Sequence, residues 1–186
     1  MSSGAQHTRL LAHPDTPGEW VWSIGAEVAC ETASTLVCRY SLHGEVARLR
    51  VPRARAGRRA DGLWEHTCFE VYVAPVALEP YYEFNFSPSL EWAAYRFSTY
   101  RDGVAPARLA RAPGLQVRRT SDHLELSATV YVEGLRELDG ARRLRLGLAA
   151  VVEDDAGALS YWALHHEPGN PDFHVPEAFA LELEIP

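Results

Sequence analysis

The stretch Leu63-Trp64-Glu65-His66-Thr67-Cys68-Phe69-Glu70-Val71-Tyr72-Val73 decides the fold of this chain. It reads as the strongest β-strand in the sequence, running from Trp64 to Val73. Successive side chains of a strand point to opposite faces. One face then carries Glu65, Thr67, Phe69, Val71 and Val73, a set that becomes steadily more apolar and suits a core. The other carries Trp64, His66, Cys68, Glu70 and Tyr72.

Working outward, Tyr81 to Phe86 and Glu91 to Phe97 read as the two arms of a hairpin, with Ser87-Pro88-Ser89 at the turn. The first arm separates Tyr82, Phe84 and Phe86 from Tyr81, Glu83 and Asn85. The second separates Ala93, Tyr95 and Phe97 from Trp92, Ala94 and Arg96. Further strand-like runs are Thr35 to Leu42, Glu45 to Val51, Leu115 to Arg119, His123 to Val132, Arg142 to Val152, Leu159 to His165 and Ala178 to Glu184. Helical periodicity is confined to a short turn around Val132 to Leu138. The pattern predicts an all-β chain of roughly nine to eleven strands, folded as a two-sheet antiparallel β-sandwich. A length of 186 residues suits one domain, assigned to 21–186, behind a loose N-terminal segment over 1–20.

Composition narrows the function classes. The formal net charge is −7 and the isoelectric point about 5.6. A phosphate-backbone binder needs a basic face, so a nucleic-acid partner is not expected. Every basic residue other than His is Arg, and the absence of Lys removes Schiff-base chemistry and a P-loop lysine. Arg53 to Gly62 reads as an exposed basic loop. Cys30, Cys38 and Cys68 are odd in number and lack a CxxC pair, so they read as buried free thiols. With no basic region followed by an apolar stretch near Met1, the expected location is the cytoplasm. No apolar run is long enough for a membrane span.

Stacking the three central strands with their apolar sets inward gathers Trp64, His66, Glu70, Tyr72, Glu83, Asn85, Trp92 and Arg96 on the opposite face. Such a face either packs beneath a loop or a second sheet, or it holds a ligand. Flat rings cover the apolar face of a pyranose, and fixed polar groups hydrogen-bond its hydroxyls. A one-residue bulge would exchange the two faces. A second cluster, Tyr161-Trp162-Ala163-Leu164-His165-His166 followed by Pro168-Gly169-Asn170-Pro171-Asp172-Phe173-His174, ends a strand at a His-rich loop of the kind that carries binding residues. Adjacent His165 and His166 diverge if extended, and no HxH or HExxH spacing supports zinc, so no metal is assigned.

The stretch 63–73, followed by Tyr81-Tyr82-Glu83-Phe84-Asn85-Phe86-Ser87-Pro88, resembles the DOMON-like superfamily, which includes the family 9 carbohydrate-binding modules. The segment Trp162 to Phe179 resembles the closing part of a bacterial stand-alone subgroup. The resemblance runs from about Val28 to the end. It implies a jelly-roll sandwich that binds either a sugar or a haem.

Haem ligation through Met with His or Lys is unavailable here, because Lys is absent and the sole Met is Met1. Two histidines would be required, drawn from His66, His165 and His174. The leading expectation is therefore a non-catalytic domain for a sugar-like small molecule, with no cofactor assigned. Its candidate ligand-binding residues are Trp64, His66, Glu70, Glu83, Asn85, Trp92, Arg96, Trp162, His165 and His174. Haem binding through two His is one alternative. A hydrolase using Glu70 and Glu83 as a carboxylate pair is another. An exposed edge strand would let two copies pair as a homodimer.

Overall fold

Side-chain alternation organises the chain from its first strand to its last. In the computed structural model, which describes residues 5–53 and 57–186, Val21–Thr32 buries Ile24, Ala26, Val28 and Cys30 and turns the residues between them outward. The strands are β1 (Gln6–Ala12), β2 (Val21–Thr32), β3 (Thr35–Gly44), β4 (Cys68–Pro75), β5 (Tyr81–Phe86), β6 (Trp92–Phe97), β7 (Ala105–Pro106), β8 (Gly114–Arg119), β9 (His123–Tyr131), β10 (Arg143–Glu153), β11 (Leu159–Ala163) and β12 (Leu181–Glu184). They form a twelve-stranded sheet in the order β7-β6-β5-β4-β10-β11-β1-β2-β3-β9-β8, with β12 also on β10. Every pairing of these strands is antiparallel.

The expectation of two separate sheets meets a continuous one, and β1 is the reason. Its Gln6 to Leu10 pair with β2, while Leu11 and Ala12 pair with β11. The segment read as a loose tail thus contains the strand that joins the two halves; residues 1–4 lie outside the described residues. The sheet curls so that β2, β3 and β9 face β4, β5 and β10 across one core. Leu36, Tyr40, Leu42 and Leu126 enter that core from the first half, and Phe69, Val71, Phe84 and Leu146 from the second.

Two local readings change and one holds. Glu45 to Val51, expected as a strand, instead contains a single 3-10 turn at Val46–Arg48. Trp64 lies in another 3-10 turn, Leu63–Glu65, and the strand begins only at Cys68. The short turn expected around Val132 to Leu138 is present as successive turns, with Val132, Leu135 and Leu138 buried. The basic loop read over 53–62 falls partly outside the described residues, at 54–56. Cys30, Cys38 and Cys68 are buried, and burial raises the pKa of each thiol.

The second half of the sheet is covered on both sides. β5 is buried along its whole length, and β4 at every position but Pro75. The outer cover comes from Leu63, Phe173 and Phe179, which cluster with Cys68, Tyr72, Tyr81, Tyr95 and Phe97. The chain after β11 lies so close to β10 that a Cβ on Gly147 would sit 3.1 Å from the Ala178 carbonyl oxygen and 3.3 Å from the Tyr72 Cβ. Arg145 pins this segment by donating from Nε and Nη2 to the Phe179 carbonyl, at 3.2 and 2.8 Å.

Across the main core, the fully buried Tyr40 stacks near Phe69, with ring centroids 5.1 Å apart, and its hydroxyl donates to the Glu70 carbonyl at 2.6 Å. A Tyr40→Phe variant keeps the ring packing and leaves that carbonyl one bond short. It should lose about 1–2 kcal/mol of stability in urea unfolding with an unchanged m-value.

Candidate binding cleft

Register on the outer face of β4, β5 and β6 assembles the site. Tyr72 stands opposite Glu83, and Glu70 opposite Asn85. On the next strand Tyr95 stands opposite Glu83 and Phe97 opposite Tyr81. Above this patch lies a cleft of about 390 Å³. Glu70, Tyr72 and Glu83 form its polar base. Trp64 meets Tyr95 edge-on at 5.8 Å, and Tyr161 meets Phe173 at 6.2 Å, so two aromatic pairs line it. Phe97, Arg101, Val104, Val151, Pro171 and His174 complete the lining.

The two carboxyls are buried, with Glu70 1% and Glu83 5% exposed. Tyr72 donates from its hydroxyl to Glu70 Oε2 at 2.7 Å, and Asn85 donates from Nδ2 to Glu83 Oε1 at 2.7 Å. Burial pushes both carboxyls above the usual carboxylate range, and the charge of Glu83 pushes Glu70 further. The bonds from Tyr72 and Asn85 and the charge of Arg101 offset only part of this. Two carboxyls so placed titrate as a pair, not independently.

A hydrogen-bonded chain fixes the rest. The Arg101 backbone N–H gives to the Tyr81 hydroxyl oxygen at 3.2 Å, and the same hydroxyl is hydrogen-bonded to His174 Nδ1 at 2.8 Å. His174 Nε2 lies 3.7 Å from Glu83 Oε2. Burial, with the charge of Arg101, pushes the His174 pKa down to about 4. At neutral pH this contact is therefore one of a neutral imidazole. Arg101 is itself clasped by Asp172, donating from Nη2 at 2.9 Å and from Nε at 3.2 Å to Oδ1. Burial pulls Asp172 upward, but bonds from Arg101, Tyr100 and the His174 amide outweigh it and hold the carboxylate below its usual range.

Of the residues expected from sequence, Trp64, Glu70, Glu83 and His174 line the cleft, and Asn85 supports Glu83. Trp92 and Arg96 are corrected to the opposite face. Trp92 pairs with Phe86 and Arg96 with Tyr82, so the apolar set Ala93, Tyr95 and Phe97 belongs to the cleft side and not to the main core. Trp92 packs against the core, and Arg96 donates from Nε to Glu137 Oε1 at 2.7 Å. His66 turns instead to Glu153, with Nδ1 2.8 Å from Oε2. Trp162 is a core residue whose indole N–H gives to Ser160. His165 contacts Glu167.

Neither the ligand face nor the His-rich cluster read from sequence contains Tyr95, Phe97, Arg101, Val104 or Val151, and Tyr161 in that cluster carried no assigned role. Tyr161 precedes Trp162 and so takes the face Trp162 does not; the alternation was visible, its phase was not. Among the described residues, no three His, Cys, Asp or Glu side chains gather as a metal-binding set.

Solved structures share the fold, among them these two. One is a "putative carbohydrate-binding protein" from Bacteroides uniformis, with a TM-score of 0.67 and 15% identity, over 99% of this chain and 87% of that one. The other is a family 9 carbohydrate-binding module from Caldicellulosiruptor kristjanssonii in complex with cellotriose. It has a TM-score of 0.51 and 8% identity, over 88% of this chain and 74% of that one. No family model matches the sequence, and no curated protein matches it.

The raised carboxyls give a signed pH prediction. Above the ordinary glutamate value of about 4.5 the unfolded chain releases protons that the folded cleft retains. Glu70 and Glu83 therefore cost nothing below that value, and stability falls as pH rises from it through the raised range. In Tm measured against pH, Glu70→Gln should flatten this decline and gain most at the alkaline end.

Proposed function

We propose that the chain is a non-catalytic domain that binds a small carbohydrate in this cleft. The observation that carries the reading is the pairing of aromatic walls with a buried, hydrogen-bonding base. Ring faces such as those of Trp64 and Tyr95 suit the apolar C–H face of a pyranose, while Glu70, Glu83 and Tyr72 suit its hydroxyls. The cleft volume of about 390 Å³ lies within the range of small-molecule sites. Support also comes from the two structural neighbours, one named as carbohydrate-binding and one holding cellotriose. The DOMON-like resemblance, with its jelly-roll sandwich, is part of this proposal.

Trp64 is the natural anchor. It is 43% exposed, far more than the rings beneath it, and so has surface left for a ligand. Titration calorimetry with a panel of mono- and disaccharides should find a ligand whose affinity drops about tenfold or more in Trp64→Ala, with the circular dichroism unchanged. Equal affinity in wild type and variant would remove the assignment.

One observation favours a second reading. A protonated buried carboxyl beside another carboxyl is also the arrangement of glycoside hydrolysis. That reading requires release of reducing ends from a bound disaccharide, abolished by Glu70→Gln or Glu83→Gln.

A further inference from the structure

The polar atoms of the cleft are unbalanced toward acceptors. Glu70 and Glu83 bring two carboxyls to the base. Beside them, Asn85 spends its amide N–H on Glu83, and its Oδ1 is buried with no donor. Among the described residues, the one arginine in the lining, Arg101, is forked onto Asp172. The lining thus offers a cation both acceptors and rings: carboxyls below, and Trp64, Tyr72, Phe97, Tyr161 and Phe173 around them, while the Tyr95 ring already carries the Arg59 guanidinium 5.4 Å from its centroid.

We infer that the cleft selects a cationic carbohydrate, an amino sugar whose ammonium is received by Glu70 and Glu83 and packed against the aromatic rings. The inference rests on the carbohydrate reading and narrows its ligand class. A neutral hydroxyl can donate to one carboxyl, but it brings no charge, and the pair keeps its proton. An ammonium supplies three donors and the opposing charge, and hydrogen bonds to charged partners are about twice as strong as neutral ones. Ring faces add a cation–π attraction that grows as water is excluded.

Of the groups facing the acid pair, Arg101 supplies a positive charge that offsets part of the burial, and the rest are neutral or already paired. On β4, Tyr72 and Cys68 are pushed upward by burial and stay neutral. Tyr95 on β6 and Tyr40, reaching from β3, are likewise raised. On β5 only the uncharged Asn85 contacts Glu83 with a donated bond. From the segment after β11, His174 is neutral and Asp172 is occupied by Arg101. A bound ammonium would favour ionisation of both acids. The pair then gives up the proton it holds, an O–H bond breaks, and the proton leaves to solvent.

The test is calorimetric titration near neutral pH with D-glucosamine, D-glucose and cyclohexylamine, repeated in two buffers of different ionisation enthalpy. The expected result is binding of glucosamine about tenfold or more tightly than glucose, with proton release. Glu70→Gln/Glu83→Gln, isosteric and without the repulsion, should lose both the preference and the proton release. Equal binding of glucosamine and glucose without proton release would overturn the inference and leave the carbohydrate reading standing. Cyclohexylamine binding as tightly as glucosamine would also overturn it, because the site would then read a cation and not a sugar. Failure of every ligand to bind would overturn the inference together with the reading beneath it.

Discussion

The rest of the structure depends on β4 and β5 being buried on both faces. A strand pair at the wall of a single core needs only one apolar face. Here Phe69, Val71, Phe84 and Phe86 fill the main core, and the alternate positions Tyr72, Glu70, Tyr81 and Glu83 have to be covered as well. That cover comes from chain on either side in sequence: the turn at Leu63–Glu65 and the segment from Leu164 to Ala180. The cleft is the gap this cover leaves. Its position is therefore a consequence of how the second layer is built.

The second layer is held by directional contacts more than by apolar area. Gly147 permits the close approach of Ala178, and Arg145 ties down the Phe179 carbonyl. The Arg101–Asp172 clasp joins the loop after β6 to the segment after β11. Tyr81 carries the same connection inward through His174. The polar chain that shapes the rim thus also holds the histidine beside Glu83, where burial and the charge of Arg101 push its pKa down. Placing Phe173 and placing His174 are one structural event, since the two are neighbours on the same clasped segment.

Much of this was legible in the sequence, and the losses have identifiable causes. Alternation located β4, β5 and β9 because their residues are aromatic or branched and strictly patterned. It passed over β2, whose Gly25, Ala26, Glu27 and Ala29 carry little strand propensity although their in–out pattern is sound. In the site, Glu70 and Glu83 could be found because charge in an otherwise apolar strand has no ordinary core role. Trp92 and Arg96 were misplaced because an apolar set, Ala93, Tyr95 and Phe97, was taken to face the only core. A chain with two buried faces breaks that inference: apolarity reports burial but not which side is buried. Register settles it, and the register of β6 follows from the five-residue connection Ser87 to Glu91, closed by Ser87 and Glu91 backbones pairing at 2.9 Å. Arg101, in left-handed backbone at φ 52°, belongs to a tertiary clasp that has no local signal.

The buried acid pair has a stability cost that packing alone does not explain. Two hydrophobic side chains at 70 and 83 would fill the same layer without desolvating charge. Keeping carboxyls there destabilises the empty protein most where they tend to ionise. The structure offsets this only in part, through Tyr72, Asn85 and the distant charge of Arg101. Under the proposed function, a bound ligand would supply the compensation the free state lacks, and the aromatic walls would set which ligands reach the pair. The strain therefore sits where binding can relieve it, and it links the fold of the second layer to the chemistry of the cleft.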